Sequence, residues 1–205
     1  MLSLLGKDGT STMVKNGCDL VNVIVESTPN PATLKFLPGC SVMETGTANF
    51  ASPEKADKAP LVRQLFKIDG VAGVFLGADF ISVAKRSTSD WQLLEPVVTE
   101  TISVFFQWGG PAVTVEKNDG EGAGSYEDDD ETVLQIKELL DTRIRPSVAM
   151  DGGDIVYRGF ERGVVFLSLQ GACIGCPSSN ATLKMGVENL LKHYVPDVLR
   201  VEAVN

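Results

Sequence analysis

Cys173 and Cys176 stand three positions apart in the run GACIGCPSS, after an apolar stretch and just before a helical pattern. Two thiols at that spacing can close a reversible disulfide, supply half of a tetrahedral metal site, or hold one edge of an iron–sulfur cluster. They can also be plain apolar filler, since unoxidised cysteine is a common core residue. The punctuation around them favours chemistry. Gly175 permits a tight loop between the two sulfurs, Pro177 has no N–H to leave unpaired, and Ser178 or Ser179 can cap the helix that follows. The pair is therefore expected on a loop tip facing a helix N-terminus, where the positive dipole end favours thiolate over thiol.

A ligand count narrows the choice. Structural zinc and 4Fe-4S clusters take four protein ligands, and this part of the chain offers no third cysteine. The sole histidine, His193, falls on the polar side of the next helix about four turns beyond Cys176, too far to complete a site. One chain thus gives half a site, and two chains meeting at their loops give four thiolates. A dithiol of the thioredoxin type remains an alternative, with Cys173 attacking and Cys176 resolving. That fold places its motif after a β-α-β pattern, whereas here α-β-β precedes it. A zinc-bridged interaction module is the third reading.

The elements that must position the loop follow from periodicity. In ETVLQIKELLDTRIRP, Val133, Ile136, Leu140 and Ile144 form one helical stripe, which Pro146 is expected to end. DGGDIVYRGF and GVVFLSLQG read as strands, the second with Val165, Leu167 and Leu169 on one face. The helix after the cysteines offers Leu183, Val187, Leu190, Leu191 and Tyr194 to a core, and VLRVEAV closes the unit as a strand. The order α-β-β-α-β over residues 131–205 describes a small domain able to fold alone.

Upstream, DLVNVIVEST alternates Val21, Val23 and Val25, and TLKFLPG continues as a second strand after the turn TPNPA. PLVRQLFKI is helical, with Pro60 in the first turn and Gly70 past the end. GVAGVFLGADFISVAK reads as two strands joined near Gly77 and Ala78. DWQLLEPVVTETISVFFQW is a helix with Asp90 as cap, Pro96 as a kink, and Leu94, Val98, Ile102 and Phe105 toward a core. Residues 109–130, rich in Gly and Asp, read as a linker between a first domain over 21–108 and the second. Asp128, Asp129 and Asp130 suit the dipole of the helix they precede. Residues 1–20 are expected to be a disordered tail. The fold class is accordingly α+β: two small α+β domains joined by an acidic, Gly-rich linker.

Composition bounds the function. The 205 residues are 43% hydrophobic, enough for real cores. A net charge of −9 argues against nucleic acid and anionic lipid as partners. Four cysteines are too few for a disulfide framework and point to a reducing compartment. No stretch reaches the roughly 20 apolar residues of a membrane span. The opening residues are too weakly apolar for a secretory signal and, with Asp8 and no Arg, unlike a mitochondrial presequence. With one histidine, no hydrolytic constellation stands out, and enzymatic turnover is not expected.

The segments DGGDIVYRGF and GVVFLSLQGACIGCPSSNATLKMGVENLL closely resemble the C-terminal domain of NifU-like, Nfu-type iron–sulfur scaffold and carrier proteins. STPNPATLKFLPG, PLVRQLFKIDGVAGVFLGADFISV and DWQLLEP resemble the companion N-terminal domain, so that the resemblance spans about residues 22–203. It implies that Cys173 and Cys176 ligate a labile 4Fe-4S cluster shared between subunits and passed to apo-proteins. The implied partners are apo iron–sulfur clients and upstream cluster-assembly proteins, with a homodimer or higher oligomer when loaded. The implied setting is the bacterial cytoplasm, with the mitochondrial matrix as alternative. Cys18 has no place in the pattern, Cys40 follows the turn LPG where family members vary, and both are expected to be passenger thiols. DGGD and STPNP are expected to be structural turns.

Overall fold

The computed structural model describes residues 22–109, 111–112, 130–174 and 177–204, and for 177–180 the backbone alone. The tail and most of the linker expected from the sequence lie outside these residues, as do Val21, Cys18, Asp128 and Asp129.

The first domain is a five-stranded antiparallel sheet in the order β1-β2-β5-β4-β3, formed by β1 (Ile24–Ser27), β2 (Thr33–Leu37), β3 (Ala48–Phe50), β4 (Val71–Leu76) and β5 (Ile81–Lys85). Side chains alternate between faces along each strand. Phe36, Val74, Leu76, Ile81 and Val83 point to one face and pack with Leu61 and Leu65 of α1 (Pro60–Leu65) and with Leu94, Val98, Ile102 and Phe105 of α2 (Trp91–Gln107). Both helices begin as their residues dictate. Pro60 occupies the first turn of α1, and the Asp90 carboxylate accepts from the Gln92 N–H of α2 at 3.0 Å. Pro96 stands inside α2 without ending it.

The opposite face carries Lys35, Phe75 and Ser82. An ordinary helix-covered sheet would leave these to water, yet they are 8%, 1% and 2% exposed. They are buried because the second domain sits on them.

That domain is a three-stranded sheet of order β6-β7-β8, with β6 (Gly153–Glu161) antiparallel to β7 (Val164–Gly171) and β8 (Arg200–Ala203) parallel to it. A parallel partner needs a crossover connection, which α5 (Pro177–Tyr194) provides. The core joins Ile155, Val165 and Leu167 to Val187 and Leu191 of α5 and to Ile136 and Leu140 of the leading helix.

The α-β-β-α-β order holds, with three local corrections. Pro146 does not end the leading helix: α3 (Glu131–Leu139) runs through a π-helical turn, Leu140–Ile144, into α4 (Arg145–Met150), where Pro146 lies in the first turn. A proline tolerates that position because its missing N–H has no helical partner to lose. Tyr194, at the end of α5, is 42% exposed and not part of the core face. Asp130 is the N-cap of α3 but makes no side-chain capping bond.

Candidate metal centre at the β7–α5 junction

The crossover that makes β8 parallel to β7 also creates the site. Chain leaving the end of β7 must turn before entering α5, and Ala172, Cys173 and Ile174 make that turn. Cys173 is only 5% exposed, while Ile174 beside it is 48% exposed. Cys173 is not in a disulfide. Cys176, its expected companion, lies outside the described residues with Gly175. His193 is exposed near the far end of α5, edge-on to Tyr194.

Two segments hold the turn. The first is the DGGD run, which is the expected turn between helix and strand and also does more. Gly152 has φ +81°, a conformation favouring glycine, and a Cβ there would lie 2.8 Å from Ser82 Oγ. Its carbonyl accepts from Ser82 Oγ at 2.6 Å and from the Ala172 N–H at 3.1 Å. Gly153 passes so close to the cysteine that a Cβ would sit 2.6 Å from Cys173 Sγ. Asp154 is anchored by Arg145, with Nε to Oδ1 at 2.9 Å and Nη2 to Oδ2 at 2.8 Å, and by Thr47 Oγ1 at 2.7 Å. Hydrogen bonding to Asp154 raises the guanidinium pKa of Arg145 further, against the opposing effect of burial, so this cation stays charged wherever the protein is folded.

The second segment is the STPNP turn of the first domain. Thr28 Oγ1 donates to the Asn30 and Thr33 carbonyls, at 2.9 Å each, and the Asn30 side-chain oxygen accepts from the Ala32 N–H at 3.0 Å. This internal bonding aims the Asn30 amide at the cysteine turn. Nδ2 donates to the Ala172 carbonyl at 3.1 Å and to the Ile174 carbonyl at 2.9 Å, one on each side of Cys173. Pro29 and Cys173 line one small cavity together with Val148 and Leu183. Phe75 packs on Gly171 just before the turn, and Lys35 Nζ donates to the Met150 carbonyl at 3.1 Å.

Of the sequence-predicted residues, Cys173 is thus at a strand–helix junction as expected, but enclosed by both domains. Asn30, Arg145 and Asp154 were not singled out by sequence reasoning as part of its surroundings. The available signals were the proline-flanked asparagine of STPNP and the paired acids of DGGD, and both are equally signatures of turns. Among the described residues no three His, Cys, Asp or Glu side chains converge as a metal site. Cys173 is the one described cysteine of the second domain, and a thiolate is a ligand for soft metals. Cys40 corrects the expectation of a passenger thiol, because it is disulfide-bonded.

Comparison with known proteins places the chain. Residues 23–109 match the family model for the N-terminal domain of scaffold protein Nfu/NifU, and residues 136–202 match the NifU-like domain. The chain is 56% identical over 180 residues to the human protein named "NFU1 iron-sulfur cluster scaffold homolog, mitochondrial", covering 87% of this chain and 70% of that one. It is 50% identical to the protein of the same name from Drosophila sechellia, again over 87% of this chain and 63% of the relative. A solved NifU-like protein from Saccharomyces cerevisiae aligns with a TM-score of 0.43 at 20% identity, over 47% of this chain and 87% of that one. The chain belongs to the Nfu family of iron–sulfur cluster scaffold proteins. This is a family of scaffolds and not of enzymes, which removes the oxidoreductase reading. The expected bacterial cytoplasm is also overturned: the relatives are named mitochondrial, and the mitochondrial alternative fits.

Proposed function

We propose that the chain carries a labile 4Fe-4S cluster between two subunits, bound by Cys173 and Cys176 of each, and hands it to apo-proteins. The observation that carries this reading is the ligand count at the β7–α5 junction. The second domain has two cysteines in its whole sequence, three positions apart, and no set of three ligating side chains converges among the described residues. A four-ligand cluster then needs two chains.

The cluster is cargo. It leaves by ligand exchange, in which a client thiolate bonds to iron as one of the four scaffold thiolates departs and takes up a proton. No net oxidation is required. Two loops meeting at a subunit interface expose the cluster edge to such attack, and lability follows. Upstream assembly proteins supply the cluster by the same exchange in reverse. The domain boundaries belong to this reading: residues 21–108 form the client-positioning module, 109–130 the linker, and 131–205 the cluster module.

Anaerobic reconstitution with iron and sulfide, read by absorption, Mössbauer spectra and iron counting, tests the proposal. The expected product is a 4Fe-4S species at about two iron atoms per chain, lost in both Cys173→Ser and Cys176→Ser. Zinc as the only metal retained after anaerobic isolation would contradict it, as would a Cys173→Ser protein that loads normally.

A further inference from the structure

The first domain has no ligand of its own in the proposed site, yet it closes over the cysteine turn. Several contacts across this boundary fall on backbone next to Cys173. Asn30 Nδ2 reaches the carbonyls of Ala172 and Ile174, Ser82 Oγ reaches the carbonyl of Gly152, and Phe75 touches Gly171. The thiol beneath is 5% exposed. An iron shared with a second chain must reach this sulfur from outside the chain, so loading calls for Cys173 to be uncovered.

We propose that Asn30 is a positioning residue that latches the first domain over the cysteine turn, so that the unloaded protein keeps Cys173 shielded and must release the latch before a cluster is bound. The inference rests on Cys173 being a cluster ligand only for its last step. The shielding itself stands on the geometry.

The latch is suited to release. Asn30 is 6% exposed, and its amide hydrogens have good partners only while the domains touch. Its side-chain oxygen is bound within its own turn to the Ala32 N–H, so opening need not unfold that turn. The freed carbonyls of Ala172 and Ile174 gain water in exchange, which keeps the net strength of the two bonds modest. Shielding also protects the cysteine from oxidation while no cluster occupies it.

The test compares full-length wild type with Asn30→Asp and Asn30→Ala. Aspartate keeps the oxygen that accepts from Ala32 but has no hydrogen to donate, and it sets a negative charge against the two carbonyls. Alanine removes both roles. The readout is the rate of Cys173 alkylation by iodoacetamide in reduced apo-protein, resolved by peptide mass spectrometry and referred to the rate in urea. Circular dichroism melting of each variant reports whether the first domain remains folded.

Cys173 should be strongly protected in wild type and roughly tenfold more reactive in Asn30→Asp, with the first domain still folded. Anaerobic cluster loading should accelerate in the same variant. Alkylation of wild-type Cys173 at the unfolded rate would overturn the shielding. Equal, slow alkylation in wild type and Asn30→Asp would overturn the role of Asn30, and unchanged loading despite faster alkylation would overturn the coupling. Cys173→Ser separates the readings. If that variant still loads, the ligand assignment fails while the alkylation result stands on its own.

Discussion

Asp154, the last residue of the DGGD run, is 3% exposed. Both its oxygens are occupied, by the guanidinium of Arg145, by Thr47 of the other domain and by the Ile155 N–H at 2.8 Å. Burying a carboxylate is costly unless such partners replace its water. Asp154→Ala removes two of the hydrogen bonds of Arg145, whose side chain is 29% exposed, and leaves it Asp141, at 3.0 Å from Nη1, as its remaining acid. The expected loss is about 2–3 kcal/mol, read as a lower urea midpoint for the second domain at unchanged slope. A loss below about 0.5 kcal/mol, the range of surface pairs, would show that the network is incidental. Among single residues, the cysteine pair was legible because its spacing and its glycine and proline neighbours are local. Asn30 was not, since its partner Ala172 lies 142 positions away. Nothing in a proline-flanked asparagine distinguishes an amide that latches a distant loop from one that only shapes its own turn.

Among the elements, α5 and β8 must stay together for the crossover that creates the cysteine turn. Glu188 joins them. Its carboxylate accepts from Lys192 Nζ at 2.6 Å within the helix and from the Val201 N–H of β8 at 3.0 Å. The hydrogen bond from Lys192, and after it that from Val201, lowers the Glu188 pKa below the usual carboxylate range. A carboxyl with a depressed folded pKa stabilises fully above its unfolded value and loses that contribution as pH falls through its folded value. Glu188→Gln should therefore be less stable than wild type at neutral pH, with the difference disappearing on acidification below the carboxylate range. Thermal melts of both proteins across that range decide it, and a difference that persists at low pH would mean that packing is responsible. Long periodic elements, such as α2 and β7, were legible because each shows enough residues to reveal its period. The three residues of β3 cannot display alternation, and the π turn before α4 depends on how Leu140 and Ile144 pack against the sheet. Reading Pro146 as a stop applied the right steric rule without knowing that the helix restarts there.

The molecule as a whole was legible as two α+β domains, because each carries its own apolar periodicity and composition falls away between them. Their docking was not. A face presenting Lys35, Phe75 and Ser82 reads as a mixed solvent surface, and only the fold reveals that the second domain covers it. This docking gives the account its two states: an enclosed apo-protein, and a loaded form in which two cysteine loops face each other. Because ligand shared by two chains stabilises their association by mass action, cluster and assembly should appear and vanish together. Anaerobic native mass spectrometry of apo-protein, reconstituted protein and Cys173→Ser at one concentration tests this most directly. The account predicts a loaded species of two chains carrying one 4Fe-4S cluster, absent from the variant, and a single chain retaining an intact cluster would contradict it.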